Sequence, residues 1–209
     1  MQLSIIIPVF NENESLPHLK KELNDVLVRF SDWEVLFIDD GSSDGSSEYL
    51  EDICSNEDNY RLIQFYRNYG KSAALSEGFK NAEGDYIITM DADLQDDPKE
   101  IPNLIEKLRE GWDLVSGWKK IRYDPINKTL PSKIFNFFTR ILTGVKIHDF
   151  NCGLKAYNKS VIKSIEIYGG RHRYIPAIAG QRKFKITEIV VNHRAREFGT
   201  TKYGGSRIF

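Results

Sequence analysis

Tyr86-Ile87-Ile88-Thr89-Met90-Asp91-Ala92-Asp93-Leu94-Gln95 is the stretch on which the reading of this chain turns. An apolar run ends abruptly in two carboxylates two residues apart. Side chains alternate along an extended segment, so Asp91 and Asp93 share a face if the strand runs on. Where the backbone turns at the strand end, the two can converge on one cation. Hard divalent ions such as Mg2+ and Mn2+ take oxygen ligands, and Mg2+ sites combine one or two carboxylates with substrate phosphates. The competing reading is a solvated acidic turn before a helix, and the flanking sequence has to decide between them.

Upstream, similar units recur. Leu3–Val9 is a short β-branched run that ends in Pro8-Val9-Phe10-Asn11-Glu12-Asn13. Ser15 and Pro17 open a capped amphipathic helix carrying Leu16, Leu19, Leu23, Val26 and Leu27. Trp33–Ile38 is a second buried strand, closed by Asp39-Asp40-Gly41-Ser42-Ser43-Asp44-Gly45 and followed by a helix over 46–54. Arg61–Phe65 is a third, and Asn68-Tyr69-Gly70-Lys71 starts the next helix. Downstream come a helix over Pro98–Arg109 and a strand over Leu114–Gly117. This alternation predicts an α/β fold with a mostly parallel central sheet and helices on both faces. Ligands of such sheets sit beyond the carboxyl ends of the strands. Pro8–Glu12, Asp39–Asp44 and Asp91–Gln95 all fall there, so three sets of polar residues are expected to meet in one crevice. Asp96 and Asp97, with Pro98 behind them, read as acids complementing a helix dipole.

The 209 residues make one large domain, or one domain with an appendage, with an uneven charge. Residues 1–114 carry 10 Lys+Arg against 25 Asp+Glu, a net of −15; residues 115–209 carry 19 against 5, a net of +14. An acidic half suits a metal, and a basic half suits phosphates or an anionic membrane surface. Two such halves of one fold also attract each other. We therefore divide the chain into residues 1–118, for ligand and metal, and a basic half, 119–209. Cys54 and Cys152 are expected to be free thiols in a reducing compartment. No run of about 18 apolar residues exists to span a membrane, and Met1–Pro8 lacks the charged leader of a signal peptide.

In the basic half, Lys119, Lys120 and Arg122 form a loop with Tyr123 and Pro125. A helix over 132–145 places Ile134, Phe135, Phe137, Phe138, Ile141 and Leu142 on one side. That side suits either a protein core or a membrane interface, where Phe-rich faces flanked by Lys and Arg lie. Asp149-Phe150-Asn151-Cys152-Gly153-Leu154-Lys155-Ala156-Tyr157 follows, then a short helix over Ser160–Ile167. Gly169–Pro176 reads as a mobile basic turn and Phe184–Val191 as a strand. Arg194, Arg196, Lys202 and Arg207, mixed with glycines, read as a flexible basic tail.

Taken together, Ile6-Ile7-Pro8-Val9-Phe10-Asn11-Glu12, Ile38–Gly45, Asn68–Lys71, Gly84-Asp85 and Met90–Pro98 resemble the inverting family-two glycosyltransferases of the Rossmann-like GT-A fold. The resemblance is closer to the polyprenyl-phosphate group, which includes dolichol-phosphate mannose synthase and undecaprenyl-phosphate glucosyltransferase. It implies a metal-dependent hexosyltransferase that moves a sugar from a nucleotide-sugar, UDP-sugar favoured, to a polyprenyl phosphate. By the same resemblance Pro8, Phe10, Glu12 and Asp40 line the nucleotide pocket, Asp40 accepting from the base and Asp39 supporting the turn. Asp91, Asp93 and Gln95 hold Mg2+ or Mn2+ with the donor diphosphate, and Asp93 counts among the catalytic residues. Lys71, Ala92, Arg122, Arg171, Arg196 and Lys202 belong to the donor-binding set, the arginines and lysines as phosphate clamps. Asp149 stands beside the acceptor as general base or orienting group; the residue-level alternative is a cap on the turn to Gly153.

The resemblance places the chain at the cytoplasmic face of a membrane and allows a homo-oligomer. Many members of the group continue into two transmembrane helices, whereas this sequence ends at Arg207-Ile208-Phe209. Either a membrane part is missing or the chain rests on the surface through 132–145. A glycan, lipopolysaccharide or protein acceptor is the alternative, and a nucleotide-sugar-binding module without turnover is a third reading. Nucleic-acid binding is not expected, since no such motif accompanies the basic residues.

Overall fold

A computed structural model describes residues 3–120 and 136–198. In chain order these form β1 (Leu3–Val9), α1 (Leu16–Leu27), β2 (Trp33–Asp39), α2 (Ser46–Asn56), β3 (Tyr60–Gln64), α3 (Lys71–Asn81), β4 (Tyr86–Thr89), α4 (Ile101–Arg109), β5 (Leu114–Trp118), the helical residues 136–143 (α5), β6 (Lys155–Asn158), α6 (Lys159–Ser164), α7 (Ile175–Gln181) and β7 (Ile186–Val190). Short 3₁₀ turns at Pro98–Glu100 and Arg171–Tyr174 lead into α4 and α7.

The strands make one sheet in the order β3-β2-β1-β4-β6-β5-β7. All run parallel except β6, which is antiparallel to both β4 and β5. The α/β expectation holds, and β6 is the strand missing from the sequence reading. It has four residues, Lys155-Ala156-Tyr157-Asn158, with polar groups at both ends, too short to show a period. Its place between two buried strands makes it a strand.

β1 alternates between two cores. Ile5 and Ile7 join Leu19, Leu23, Phe37, Ile88 and Leu104 under α1, α2 and α4. Ile6 joins Leu36, Ala74, Phe79, Ile87 and Tyr157 under α3, α6 and α7. Helices on both faces thus bury a sheet whose inner strands are mainly apolar. At Gly78 an added Cβ would lie 2.4 Å from Ile6 Cγ2, which is how closely α3 sits on β1.

The sheet opens where the expected crevice lies. The last rung between β1 and β4 runs from the Met90 N–H to the Ile6 carbonyl at 3.2 Å. Two residues on, Pro8 faces the same neighbour and has no N–H to offer. β1 continues beside β2 as far as Val9 opposite Asp39. The chain after β4 departs there and leaves a cleft at the carboxyl ends.

Three further expectations are corrected. Ser15 stands at the start of α1, but its hydroxyl donates to the Glu12 carbonyl at 2.9 Å and does not cap the helix. Gly169–Pro176 is not a loose turn: Arg171–Tyr174 is a 3₁₀ turn that runs directly into α7. The helix placed at 132–145 ends at 143, before Gly144 in a left-handed conformation (φ 71°), and 132–135 lie outside the described residues. Among the described residues no helix is long and apolar enough to cross a membrane.

Candidate active site

Asp91 follows the end of β4 by two residues. Its N–H donates to Asp96 Oδ2 at 3.1 Å, and its carboxylate is ion-paired with Lys71, the first residue of α3. The loop before β6 passes close by: a Cβ on Gly153 would lie 2.6 Å from Asp91 Oδ2. Asp93 accepts the Gln95 N–H at 3.2 Å across Leu94, which adopts φ 62°. The other oxygen of Asp93 is paired with Arg196 Nη2. Arg196 Nη1 is buried without a hydrogen-bond partner, 3.8 Å from Glu12 Oε1. Gln95 and Arg194 join through backbone and side chain at 3.0 and 3.4 Å. Asp97 caps the following turn by accepting the Lys99 N–H at 3.0 Å. Asp96 does not act on a helix dipole; it is buried and paired with Lys119 at 2.8 Å.

The loops after β1 and β2 are laced together. Ser42 and Ser46 hydroxyls accept the N–H groups of Asn11 and Glu12, both at 2.9 Å, and Asn11 Oδ1 accepts the Ser43 N–H at 2.7 Å. Asp39 accepts from the Ser42 N–H at 3.0 Å and from the Ser42 and Ser47 hydroxyls. Asp40 reaches the next loop, where it accepts the N–H groups of Tyr69 at 2.6 Å and Gly70 at 2.9 Å. The Asp40 carboxylate therefore holds the entrance of α3, and through it Lys71. Pro8 and Phe10 are half-buried on the cleft wall, and Ala92 is buried between the two acids.

The second half closes over this floor. Asp149 is 1% exposed and accepts the Asn151 N–H at 3.1 Å, so it shapes the turn toward Gly153. The Ser116 hydroxyl donates to the Asp149 carbonyl at 3.1 Å, and Asn136 Oδ1 accepts the Phe150 N–H at 3.2 Å. Residues 191–198 are docked, contrary to the flexible tail expected: Arg194 forks onto Glu22 at 2.7 and 2.8 Å and pairs with Asp97 at 2.6 Å. Phe198 stacks on His18 of α1 at 4.9 Å. Arg171 is exposed, with its guanidinium 3.9 Å from the Tyr168 ring centroid. Arg122 and Lys202 lie outside the described residues.

Three members of the cluster escaped the sequence reading. Lys155 is buried on β6 and donates to the Cys152 carbonyl. Lys119 is half-buried and pairs with the buried Asp96. His172 Nδ1 is 2.7 Å from the Ser72 hydroxyl, which also accepts the His172 N–H at 3.3 Å. A lysine inside a short apolar segment was the available signal for Lys155. His172 had none, because its partner is 100 residues away.

The electrostatics follow from this packing. Burial opposes ionisation of Asp91, but Lys71 and Lys119 outweigh it and hold its carboxyl below the usual range. Burial and the neighbouring Asp91 charge push Asp93 up, against Arg196. Burial lowers Lys155 and pushes the Cys152 thiol up to about 12. Cys54 and Cys152 are both free thiols.

Residues 4–166 match the family model described as Glycosyl transferase family 2. A dodecaprenyl-phosphate galacturonate synthase of Rhizobium johnstonii is 40% identical over 215 residues, covering 100% of this chain and 64% of its own length. An undecaprenyl-phosphate 4-deoxy-4-formamido-L-arabinose transferase of Salmonella choleraesuis is 40% identical over 209 residues, covering 99% and 64%. This chain thus spans 64% of the length of these curated relatives. Among solved structures, glucosyl-3-phosphoglycerate synthase from Mycobacterium tuberculosis in complex with Mn2+, UDP and phosphoglyceric acid superposes with a TM-score of 0.73 at 20% identity, over 93% of this chain and 71% of that one. That likeness carries the fold, GT-A. With the family match spanning most of its length, the chain belongs to glycosyl transferase family 2.

Proposed function

We propose that the chain transfers a sugar, with inversion, from a nucleotide-sugar to a polyprenyl phosphate at the cytoplasmic face of a membrane. The observation that carries this reading is the 40% identity, along the whole chain, to relatives named for dodecaprenyl- and undecaprenyl-phosphate substrates. UDP is the favoured nucleotide. The first half would hold the donor and the basic half the acceptor.

The residues present fit a hard divalent ion. Asp91 and Asp93 offer two carboxylates in one cleft, with the Gln95 amide oxygen as a third donor. Among the described residues no group of three or more His, Cys, Asp or Glu surrounds a metal point, so remaining positions would fall to phosphate and water oxygens. The Mn2+ and UDP of the M. tuberculosis neighbour support such a site. When bound, Mg2+ or Mn2+ would serve as a Lewis acid on the departing diphosphate.

The chain's own groups do the rest. An acceptor phosphate oxygen attacks the anomeric carbon, the bond from that carbon to the diphosphate breaks, and the nucleoside diphosphate leaves with the electron pair. Lys71 and Arg196 flank the acids and are available to the growing negative charge. A phosphate oxygen is ionised near neutral pH, so Asp149 has little proton to remove and acts by orienting the turn beside the acceptor.

The exposed face of α5 supports a membrane location. Phe137, Phe138, Ile141 and Leu142 are 51%, 56%, 62% and 81% exposed, while Asn136 and Thr139 are 8% and 5% exposed. The apolar side thus faces away from the core, as in an interfacial helix.

The test is nucleotide release with UDP- and GDP-sugars, Mg2+ or Mn2+, and membranes containing undecaprenyl phosphate. Lipid-dependent release that disappears in Asp93→Ala is the expected result. Release indifferent to lipid would move the acceptor to a glycan or protein.

A further inference from the structure

Each acid of the Asp-x-Asp pair already has its own counter-ion: Asp91 has Lys71, and Asp93 has Arg196. Neither cation arrives by chance. Lys71 is set by the first turn of α3, which Asp40 holds from β2 and His172 holds through Ser72. Arg196 is set by the 191–198 segment, which Arg194 anchors on Glu22 and Asp97. These two carboxylates and two cations sum to zero charge, and Glu12, 3.8 Å from Arg196 Nη1, adds one negative charge at the edge of the cluster. Arg196 Nη1 is also buried with no hydrogen-bond partner, Glu12 Oε1 being 3.8 Å away, so this guanidinium has a donor left for a closer anion.

We propose that Lys71 and Arg196 are exchangeable counter-ions that make metal and diphosphate binding at this site strongly interdependent. The inference rests on the donor-site reading above. A divalent ion arriving alone competes with two tethered cations for the same two carboxylates, and it adds two positive charges to a cleft that already holds both cations. A diphosphate arriving alone meets cations already engaged by acids. When both arrive, the ion takes the carboxylates, Lys71 and Arg196 turn to the phosphates, and every charge has a partner. The coupling is a property of the chain's own cations and is reciprocal between the two ligands.

A further consequence has a sign opposite to that of an ordinary phosphate clamp. Removing a clamp weakens nucleotide binding and leaves the bare metal indifferent. Removing an exchangeable counter-ion tightens the bare metal while weakening its dependence on nucleotide.

Mn2+ binding to the full chain, followed by electron paramagnetic resonance with and without UDP, reads both quantities without turnover. In the unsubstituted chain UDP is expected to tighten Mn2+ on the order of 10- to 100-fold. In Arg196→Gln, and separately in Lys71→Gln, Mn2+ alone should bind several-fold more tightly and the enhancement by UDP should shrink. Arg196→Lys keeps the charge and should retain most of the coupling. Circular dichroism melting establishes that each variant is folded, and either of the two neutral variants suffices if the other is not. Bare Mn2+ affinity unchanged or weakened in the folded neutral variants overturns the inference while leaving the donor site intact. Absence of Mn2+ binding to the unsubstituted chain, with UDP or without, overturns the donor-site reading and this inference together.

Discussion

His172 shows how a single side chain couples distant sequence to the cleft. Its ring is pinned to Ser72 at 2.7 Å. Burial, helped by Lys71, Arg173 and Lys155, pushes its imidazole down to about 3. The unfolded chain takes up this proton near pH 6.5, so between those values the unfolded state binds more protons. Stability is therefore fully present above about pH 6.5 and falls as the pH drops, by up to about 1.4 kcal/mol per pH unit for one such group. Urea denaturation at pH 7 and pH 5 reads the loss. His172→Asn retains an acceptor for Ser72 and should lose less stability between the two; an equal loss would remove His172 as the cause. At this scale Asp91 and Asp93 were legible because a strand end exposes them as neighbours. His172, Lys119 and Lys155 were not, because only packing brings them to the acids.

Among the described elements, α5 carries the most exposed large apolar side chains. A 3.6-residue stripe is visible in the sequence, yet the same stripe serves a core or an interface. The exposure of Phe137, Phe138, Ile141 and Leu142 shows that this side is not packed on the described core, and it supports the interface we propose. Substitution of Ile141 and Leu142 by Glu should change folding stability by no more than about 0.5 kcal/mol per site, as for other exposed positions. The same change should weaken sedimentation with anionic vesicles at least several-fold. Unaltered vesicle binding would mean that α5 is not the contact. β6 is the converse case, an element with almost no signal of its own. Its four residues are a strand because β4 and β5 leave a place between them.

Across the whole molecule the charge split becomes a set of contacts. Lys119 on Asp96, Arg194 on Glu22 and Asp97, and Arg196 on Asp93 all join the basic half to the acidic one. Part of the asymmetry is thus spent inside the fold. Arg194 makes two of these contacts while touching neither acid of the Asp-x-Asp pair. Its replacement by Met should lower stability by about 1–2 kcal/mol, the scale of hydrogen bonds to charged groups. It should also increase proteolysis near residues 191–198 and raise the KM for the nucleotide-sugar more than it lowers kcat, because Arg196 loses its anchor. Unchanged proteolysis and KM would show that the segment docks without Arg194.

The order of strands and helices, the three polar strand ends and the acids after β4 are local features, and the sequence alone determined them. Apolar runs, turn residues and strand-to-helix alternation act over a few residues and carry their own period. Tertiary structure alone decided which cation faces which acid, which side of α5 is exposed, where β6 inserts, and that residues 191–198 are docked. Those outcomes depend on the approach of groups up to 172 residues apart. The energies that select them, burial and charge pairing shielded from bulk water, exist only once the chain has folded around them.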